Sequence, residues 1–281
     1  DMITSIVTDP FLFGKISANH ALSDIYASLA KPLSSLMILQ LPKSSNNIHS
    51  EDLKQIQEGA KLVLNENSCV LSGGHTMIGE DENPVIGFSI VGKIFKKSPN
   101  QIKNKDVVIL TEKLGTGIIF AGVNSNTISS KYIKNVTNQL ERGNIKLGKI
   151  INQIKPLEAT DITGYGLGNH LINLIDRNKH IKGITILKDK IKLFEGVLEC
   201  LQKNVNSSFY EQNFSYGKNK ILFKNCDLIN RIFFDPQTVG GIAFIISQNS
   251  YLKVKKILEK NKIIFSKIGY VDNSHSHLRV I

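Results

Sequence analysis

Apolar side chains return at helical spacing between Gly14 and Ala30, where Ile16, Ala21, Leu22, Ile25, Tyr26 and Leu29 share a face and Pro32 closes the run. The spacing predicts a helix with one buried side. Leu33 to Leu41 reads as a strand, Glu51 to Asn65 as a second helix with Leu53, Ile56, Ala60 and Val63 inward, and Pro84 to Ile94 as a further strand. With the apolar-rich start Met2-Ile3-Thr4-Ser5-Ile6-Val7, the first part of the chain runs strand, helix, strand, helix, strand. Later, Val107-Val108-Ile109-Leu110 is a continuous apolar run suited to a buried strand within Asp106 to Thr111. Helices are predicted at Ser129 to Gln139, Leu147 to Ile154, Leu167 to Asp176 and Leu252 to Asn261, and strands at Ile184 to Leu187, Ile242 to Ile246 and Ile263 to Val271. Elements mixed in this way predict a layered α/β fold, and no internal repeat is visible.

Between the two patterned regions, Lys96 to Lys105 is polar, rich in lysine and without apolar period. It separates a first domain, residues 1–98, from a second, residues 106–281. A chain of 281 residues with 41% hydrophobic content can bury two cores. No apolar run approaches the roughly 20 residues of a membrane span, and the N-terminus lacks the order of a signal peptide, so the expectation is cytoplasmic, with no membrane partner. The chain opens on Asp1 with no initiator Met, which reads as the ordered part of something longer.

The net charge of +11 raises nucleic acid as a partner, but the lysines are scattered among Asn and Ile rather than gathered on one face. A solvated surface with no nucleic-acid partner is the reading, and attraction of an anionic nucleotide is compatible with it. Cys69, Cys200 and Cys226 share no metal-ligand spacing and are expected to be reduced and buried.

Four segments could carry chemistry. Asp161-Ile-Thr-Gly-Tyr-Gly-Leu-Gly168 puts three glycines at the mouth of a helix, where free N–H groups and the dipole favour phosphate and Asp161 could hold Mg²⁺ against it. Val70-Leu-Ser-Gly-Gly-His-Thr76 ends a strand-like run in Gly73-Gly74, a turn beside a bound group or an ordinary loop. Phe233 to Gly241 reads as a turn between strands. Asp24 lies one turn after His20 on the same helical face, either as a surface carboxylate or as one that needs a cation or donor.

In order along the chain stand Asp9-Pro10-Phe11, Asn19-His20-Ala21-Leu22-Ser23-Asp24, Gly73-Gly74-His75-Thr76, Leu114-Gly115-Thr116-Gly117, Thr160-Asp161-Ile162-Thr163-Gly164-Tyr165-Gly166 and Asp235-Pro236-Gln237-Thr238-Val239-Gly240-Gly241. This series resembles the selenophosphate synthetases over nearly the whole chain. The resemblance implies the two-domain aminoimidazole ribonucleotide synthetase-like fold, with an N-terminal domain that pairs with its twin to close a β-barrel. It implies synthesis of selenophosphate from ATP, selenide and water, giving AMP and phosphate, with several Mg²⁺ ions. Carried over by motif, Asp1 and Asp161 match metal-binding aspartates, Asp24 an aspartate at the nucleotide, and Gly73, Gly74, His75 and Thr76 a nucleotide-contacting segment.

Two departures stand out. The family's catalytic Cys or selenocysteine and its Lys belong upstream of Asp1, so the catalytic residue is not assigned and the fragment alone is expected to be inactive. The acid that follows the Gly-Gly-His-Thr segment is displaced to Glu80 or lost, because Met77-Ile78-Gly79 intervene. The Asn-His-Ala-Leu-Ser-Asp and Gly-Gly-His-Thr forms also resemble those of enzymes fused behind a flavin-dependent oxidoreductase domain. The alternatives are thiamine monophosphate kinase or another ATP-dependent enzyme of the superfamily, and a non-catalytic nucleotide-binding or dimerisation module.

Overall fold

The computed structural model describes residues 1–95 and 100–281; Lys96 to Pro99, part of the linker read from the sequence, lie outside the described residues. The chain divides into two compact units, Asp1–Phe95 with Leu140–Ile145, and Lys96–Gln139 with Lys146–Ile281.

The first unit contains β1 (Met2–Thr4), α1 (Pro10–Ala27), β2 (Ala30–Pro42), α2 (Asn46–Glu66), β3 (Val70–Gly79) and β4 (Val85–Ile94). Helix α1 begins at Pro10, a turn before its apolar period becomes regular. Asp9 caps it, accepting the Leu12 N–H at 2.9 Å, and Pro10 sits where a helix has no use for its N–H. The sheet order is β1-β4-β2-β3, with β2 parallel to β3 and antiparallel to β4. Segment 70–79, of which the sequence reading left the Gly73–Thr76 part as a turn or loop, is strand throughout, paired from Ser34↔Val70 to Pro42↔Gly79. Its side chains are mostly exposed, so backbone pairing rather than a buried face defines it.

In β2 the pairing with β4 passes from Pro32↔Gly92 to Ser34↔Val91, and this bulge at Leu33–Ser34 reverses the phase of the strand. Ala30 and Pro32 are buried ahead of it, whereas Ser35, Met37, Leu39 and Leu41 are buried after it. Leu33, Leu36 and Ile38 stay exposed with Met77 and Val91, leaving an apolar surface on this sheet.

Helices α1 and α2 approach unusually closely. A Cβ on Gly14 would lie 2.0 Å from the Ile56 carbonyl oxygen, and one on Gly59 2.0 Å from that of Phe11. Each helix therefore needs a glycine where it meets the backbone of the other.

The second unit runs β5 (Val107–Thr111), α3 (Thr116–Asn124), α4 (Ile133–Arg142), α5 (Ile145–Ile154), β6 (Glu158–Asp161), α6 (Gly166–Asp176), β7 (Ile184–Ile186), α7 (Val197–Gln202), α8 (Tyr210–Gly217), β8 (Ile221–Phe223), β9 (Ile242–Ile246), α9 (Tyr251–Lys260), β10 (Phe265–Val271) and β11 (Leu278–Val280), with the junction of α4 and α5 belonging to the first unit. Its mixed seven-stranded sheet has the order β6-β9-β5-β10-β7-β11-β8. Every residue of β5 and β9 is buried, which explains their unbroken apolar sequences. Residues 228–234 form a 3₁₀ segment, so Phe233 to Gly241 joins a short helix to a strand rather than two strands. No helix among the described residues is long and apolar enough to cross a membrane.

Gly59→Ala is expected to destabilise the first unit by about 1–3 kcal/mol, because the added methyl meets backbone that cannot turn aside. In urea unfolding the midpoint should fall at unchanged slope; an unaltered midpoint would contradict the tight crossing.

Candidate active site

In the first unit, Asp1 is tied to β4 by the Phe88 N–H, which donates to its carbonyl at 2.9 Å. Its carboxylate meets Nε2 of the buried His20 at 3.1 Å. Asp24, one turn further along α1, is exposed, and it and Asp1 each place a carboxylate oxygen within 4.8 Å of the other. Two hard oxygens at that separation suit a divalent cation. The other polar residues of the helix serve the fold. Asn19 Nδ2 donates to the carbonyls of Leu140 and Glu141 at 3.0 and 2.7 Å, and Ser23 Oγ accepts from Asn144 Nδ2 at 3.1 Å.

Gly73 to Thr76 line a cavity of about 280 Å³ between β3 and α2, which Gln57, Lys61 and Leu71 also border. The sequence reading named the β3 side of this cavity and missed Gln57 and Lys61, since neither departs from an ordinary polar helix face. Glu80 does not join Asp1 and Asp24. Its two oxygens lie 2.6 and 2.7 Å from Lys43 Nζ in an exposed pair, and Asp81 accepts from Gln40 at 2.6 Å.

In the second unit, Asp161 ends β6 and is buried. The loop that follows it is fixed by the Asp235–Gly241 segment. Gln237 N–H donates to the Thr163 carbonyl at 3.0 Å, and Ile162 N–H to that of Gly241 at 2.9 Å. Gly240 lies so close that a Cβ would stand 1.9 Å from the Ile162 carbonyl oxygen. The Gln237 side chain reaches the other way. Its Oε1 accepts from Gly115 N (2.9 Å), Thr116 N (3.1 Å) and Thr116 Oγ1 (3.2 Å), capping α3, while its Nε2 donates to the Asp235 carboxylate at 2.8 Å. Asn213 Nδ2 joins Gly164 and Phe234 by donating to both carbonyls, at 2.9 and 3.0 Å.

The glycines of residues 164–168 thus have two duties. Gly166, at φ +73°, has carbonyls of Phe233 and Asp235 within 2.9 Å of where a Cβ would be, a packing requirement, whereas Gly164 has nothing within 4 Å and opens onto space a ligand can use.

Burial raises Asp235 from the ordinary 3.8 to about 6, and the Ser207 hydroxyl, the amides of Ile118 and Gly117 and the Gln237 amide hold it down only in part. Its Oδ1 makes no well-formed hydrogen bond among the described residues. Among the cysteines, Cys69 and Cys200 are buried and Cys226 is exposed, which corrects the expectation for the last. Burial pushes the Cys200 thiol up to about 11 and raises Cys69, so neither is a ready thiolate at neutral pH.

The family model for AIR synthase related protein, N-terminal domain, matches residues 1–94. The thiamine-monophosphate kinase of Stenotrophomonas maltophilia K279a has a TM-score of 0.72 at 16% identity, covering 100% of this chain and 83% of that one. E. coli HypE, a hydrogenase maturation protein, gives 0.71 at 14% identity, with 100% and 81% covered. The fold is that of the AIR synthase-like proteins. The curated relatives narrow it: selenide, water dikinase of Caldanaerobacter subterraneus subsp. tengcongensis is 32% identical over 268 residues, 92% of this chain and 74% of that protein. The same enzyme of Carboxydothermus hydrogenoformans is 30% identical over 292 residues, 100% and 81%. The chain belongs to the selenide, water dikinase family.

Because the folded carboxyl of Asp235 keeps its proton to about pH 6 while the unfolded one loses it near 3.8, the folded state binds more protons between these values. Stability from this group therefore falls as pH rises through that window and stays low above it. Asp235→Asn is expected to remove the fall, about 1–3 kcal/mol between pH 4 and 6, in denaturant titrations at each pH. Parallel pH profiles for the two proteins would contradict the assignment.

Proposed function

We propose that this chain binds Mg·ATP and, as part of the full-length protein, takes part in the ATP-dependent formation of selenophosphate from selenide and water, releasing AMP and phosphate. The observation that carries this reading is the 32% identity to a selenide, water dikinase across 92% of the chain. The geometry of the first unit supports it. Asp1 and Asp24 are two carboxylates close enough for one Mg²⁺, and His20 holds Asp1 in place. On the second unit, Asp161 is a Mg²⁺ ligand at the mouth of α6. Bound Mg²⁺ supplies the positive charge that a polyphosphate losing its terminal phosphoryl groups requires. Gly73, Gly74, His75 and Thr76 contact the nucleotide, with Lys61 as a cation at the same cavity.

The exposed apolar surface of the first sheet, with Leu36, Ile38, Met77 and Val91, supports a homodimer formed through this unit. The enzyme acts in the cytoplasm, and a flavin-dependent oxidoreductase domain is a partner in the full-length protein. Thiamine-monophosphate kinase shares the fold at 16% identity, and that likeness extends to the fold alone.

Phosphorus NMR of the full-length protein with ATP, Mg²⁺ and selenide should show selenophosphate with AMP and phosphate. Consumption of ATP on thiamine monophosphate, with none on selenide, would overturn the reading. In calorimetric titrations with Mg·ATP, Asp161→Asn and Asp24→Asn should each weaken binding roughly ten- to a hundred-fold, the cost of a lost charge-assisted contact. Glu80→Gln should matter less, since Lys43 already occupies that carboxylate; abolition by Glu80→Gln with Asp161→Asn unchanged would reverse the assignment. Light scattering at micromolar concentration should give the mass of a dimer, and a monomer that still binds nucleotide would contradict it.

A further inference from the structure

His170 stands in the second turn of α6, half-buried, with the exposed ring of Tyr165 edge-on to it at 5.9 Å between centroids. Its Nε2 lies 3.1 Å from the backbone nitrogen of Thr163 and 3.2 Å from that residue's Oγ1, and its Nδ1 lies 3.4 Å from Thr160 Oγ1. A backbone N–H can only donate, so Nε2 is the acceptor. The imidazole is then neutral with its proton on Nδ1, directed at the Thr160 hydroxyl. Thr160 and Thr163 bracket Asp161, one immediately before it and the other two residues after it.

We propose that His170 is a positioning residue for Asp161: one imidazole ties the strand residue ahead of the carboxylate to the loop residue behind it, and so sets the direction in which Asp161 faces a metal. The proposal rests on the reading of Asp161 as a Mg²⁺ ligand. Thr163 is held through both of its flanking peptides, its N–H by His170 and its carbonyl by the Gln237 N–H at 3.0 Å. The second of these contacts is backbone to backbone and survives any substitution of Gln237 that keeps the fold. The first depends on a side chain. Removing it leaves the Thr163 N–H unpaired and loosens the 162–163 peptide, so that Asp161, whose backbone the β9 pairing and the Ile162–Gly241 bond still hold, loses one restraint on the direction of its carboxylate. Asn213, which binds the Gly164 carbonyl at 2.9 Å, continues the same restraint beyond the turn.

Two readouts test this in the intact chain. The Mg²⁺ concentration for half-maximal ATP binding should rise roughly three- to ten-fold in His170→Leu, the effect of one lost hydrogen bond. The Thr163 amide should exchange faster with solvent in the same variant. His170→Gln, whose Oε1 can take the place of Nε2, should restore both, whereas His170→Asn, whose oxygen is too short to reach Thr163, should not. A purely structural role would lower the melting temperature of all three together and leave the Mg²⁺ midpoint of the folded fraction unmoved, which overturns the proposal. Should the Leu variant not fold, the Gln and Asn variants decide, and equal Mg²⁺ midpoints in the two overturn it. If ATP binding by the wild type is indifferent to Mg²⁺, the metal reading of Asp161 falls and this proposal with it. That result differs from a positioning failure, in which the wild type responds to Mg²⁺ and the variants respond alike.

Discussion

Gln237 has one carboxamide, and every polar atom of it is committed. The oxygen accepts three donors from Gly115 and Thr116, and the nitrogen reaches the carboxylate and the carbonyl of Asp235. Because the group is buried, each contact replaces water that cannot return, and losing one would leave an unpaired polar atom in the interior. With the Gln237 backbone N–H on the Thr163 carbonyl, these contacts hold the start of α3, the 3₁₀ segment before Asp235 and the Asp161 loop to one another although they lie far apart in sequence. The glycines around this junction allow backbones to touch directly, as Gly240 does against Ile162. A site whose ligands are set by backbone contacts of this kind needs little reorganisation when a charged substrate arrives.

The first unit solves the same problem with a helix. Successive polar residues of α1 face different ways, Asn19 and Ser23 toward Leu140–Ile145, His20 toward Asp1, and Asp24 toward solvent. A helix buried on nearly all sides can carry so many polar groups because most of their buried atoms find a partner, Asn19 Oδ1 excepted. Only the exposed Asp24 is left to meet something that comes from outside, beside an Asp1 whose carboxylate already has its histidine.

Local pattern made the two α/β layers legible. Ile242–Ile246 was readable to the residue because a strand buried on both faces is an unbroken apolar run, and the α6 face was readable from Leu167, Leu171 and Leu174. Strand β3 was not, since its side chains are exposed and its paired glycines imitate a turn; only its pairing with β2 makes it a strand. Helix α3 carries two glycines and apolar residues without period, and α7 and α8 are too short to show one. Of the site, the motif residues Asp1, Asp24 and Asp161 could be named from resemblance, and the pairing of Asp1 with Asp24 follows from the packing of α1 against β1 and β4. The parts played by His170, Gln237 and Asn213 could not be read, because each acts on backbone atoms whose position no local spacing reveals.

The bulge at Leu33–Ser34 bears on how this chain can change in length over evolutionary time. Loops absorb insertions and deletions because nothing downstream depends on their count. Beyond the bulge, strand β2 cannot. Deleting one residue between Leu36 and Leu41 would exchange the two faces on one side of the deletion, whereas deleting Ser34 would leave Ala30, Pro32, Ser35 and Met37 in plain alternation, with Ala30 still opposite Ile94 of β4. Surviving descendants of this gene are therefore confined to substitutions beyond the bulge, and the segment from Leu36 to Pro42 becomes a ruler of fixed length against which more changeable parts of the sequence can be aligned.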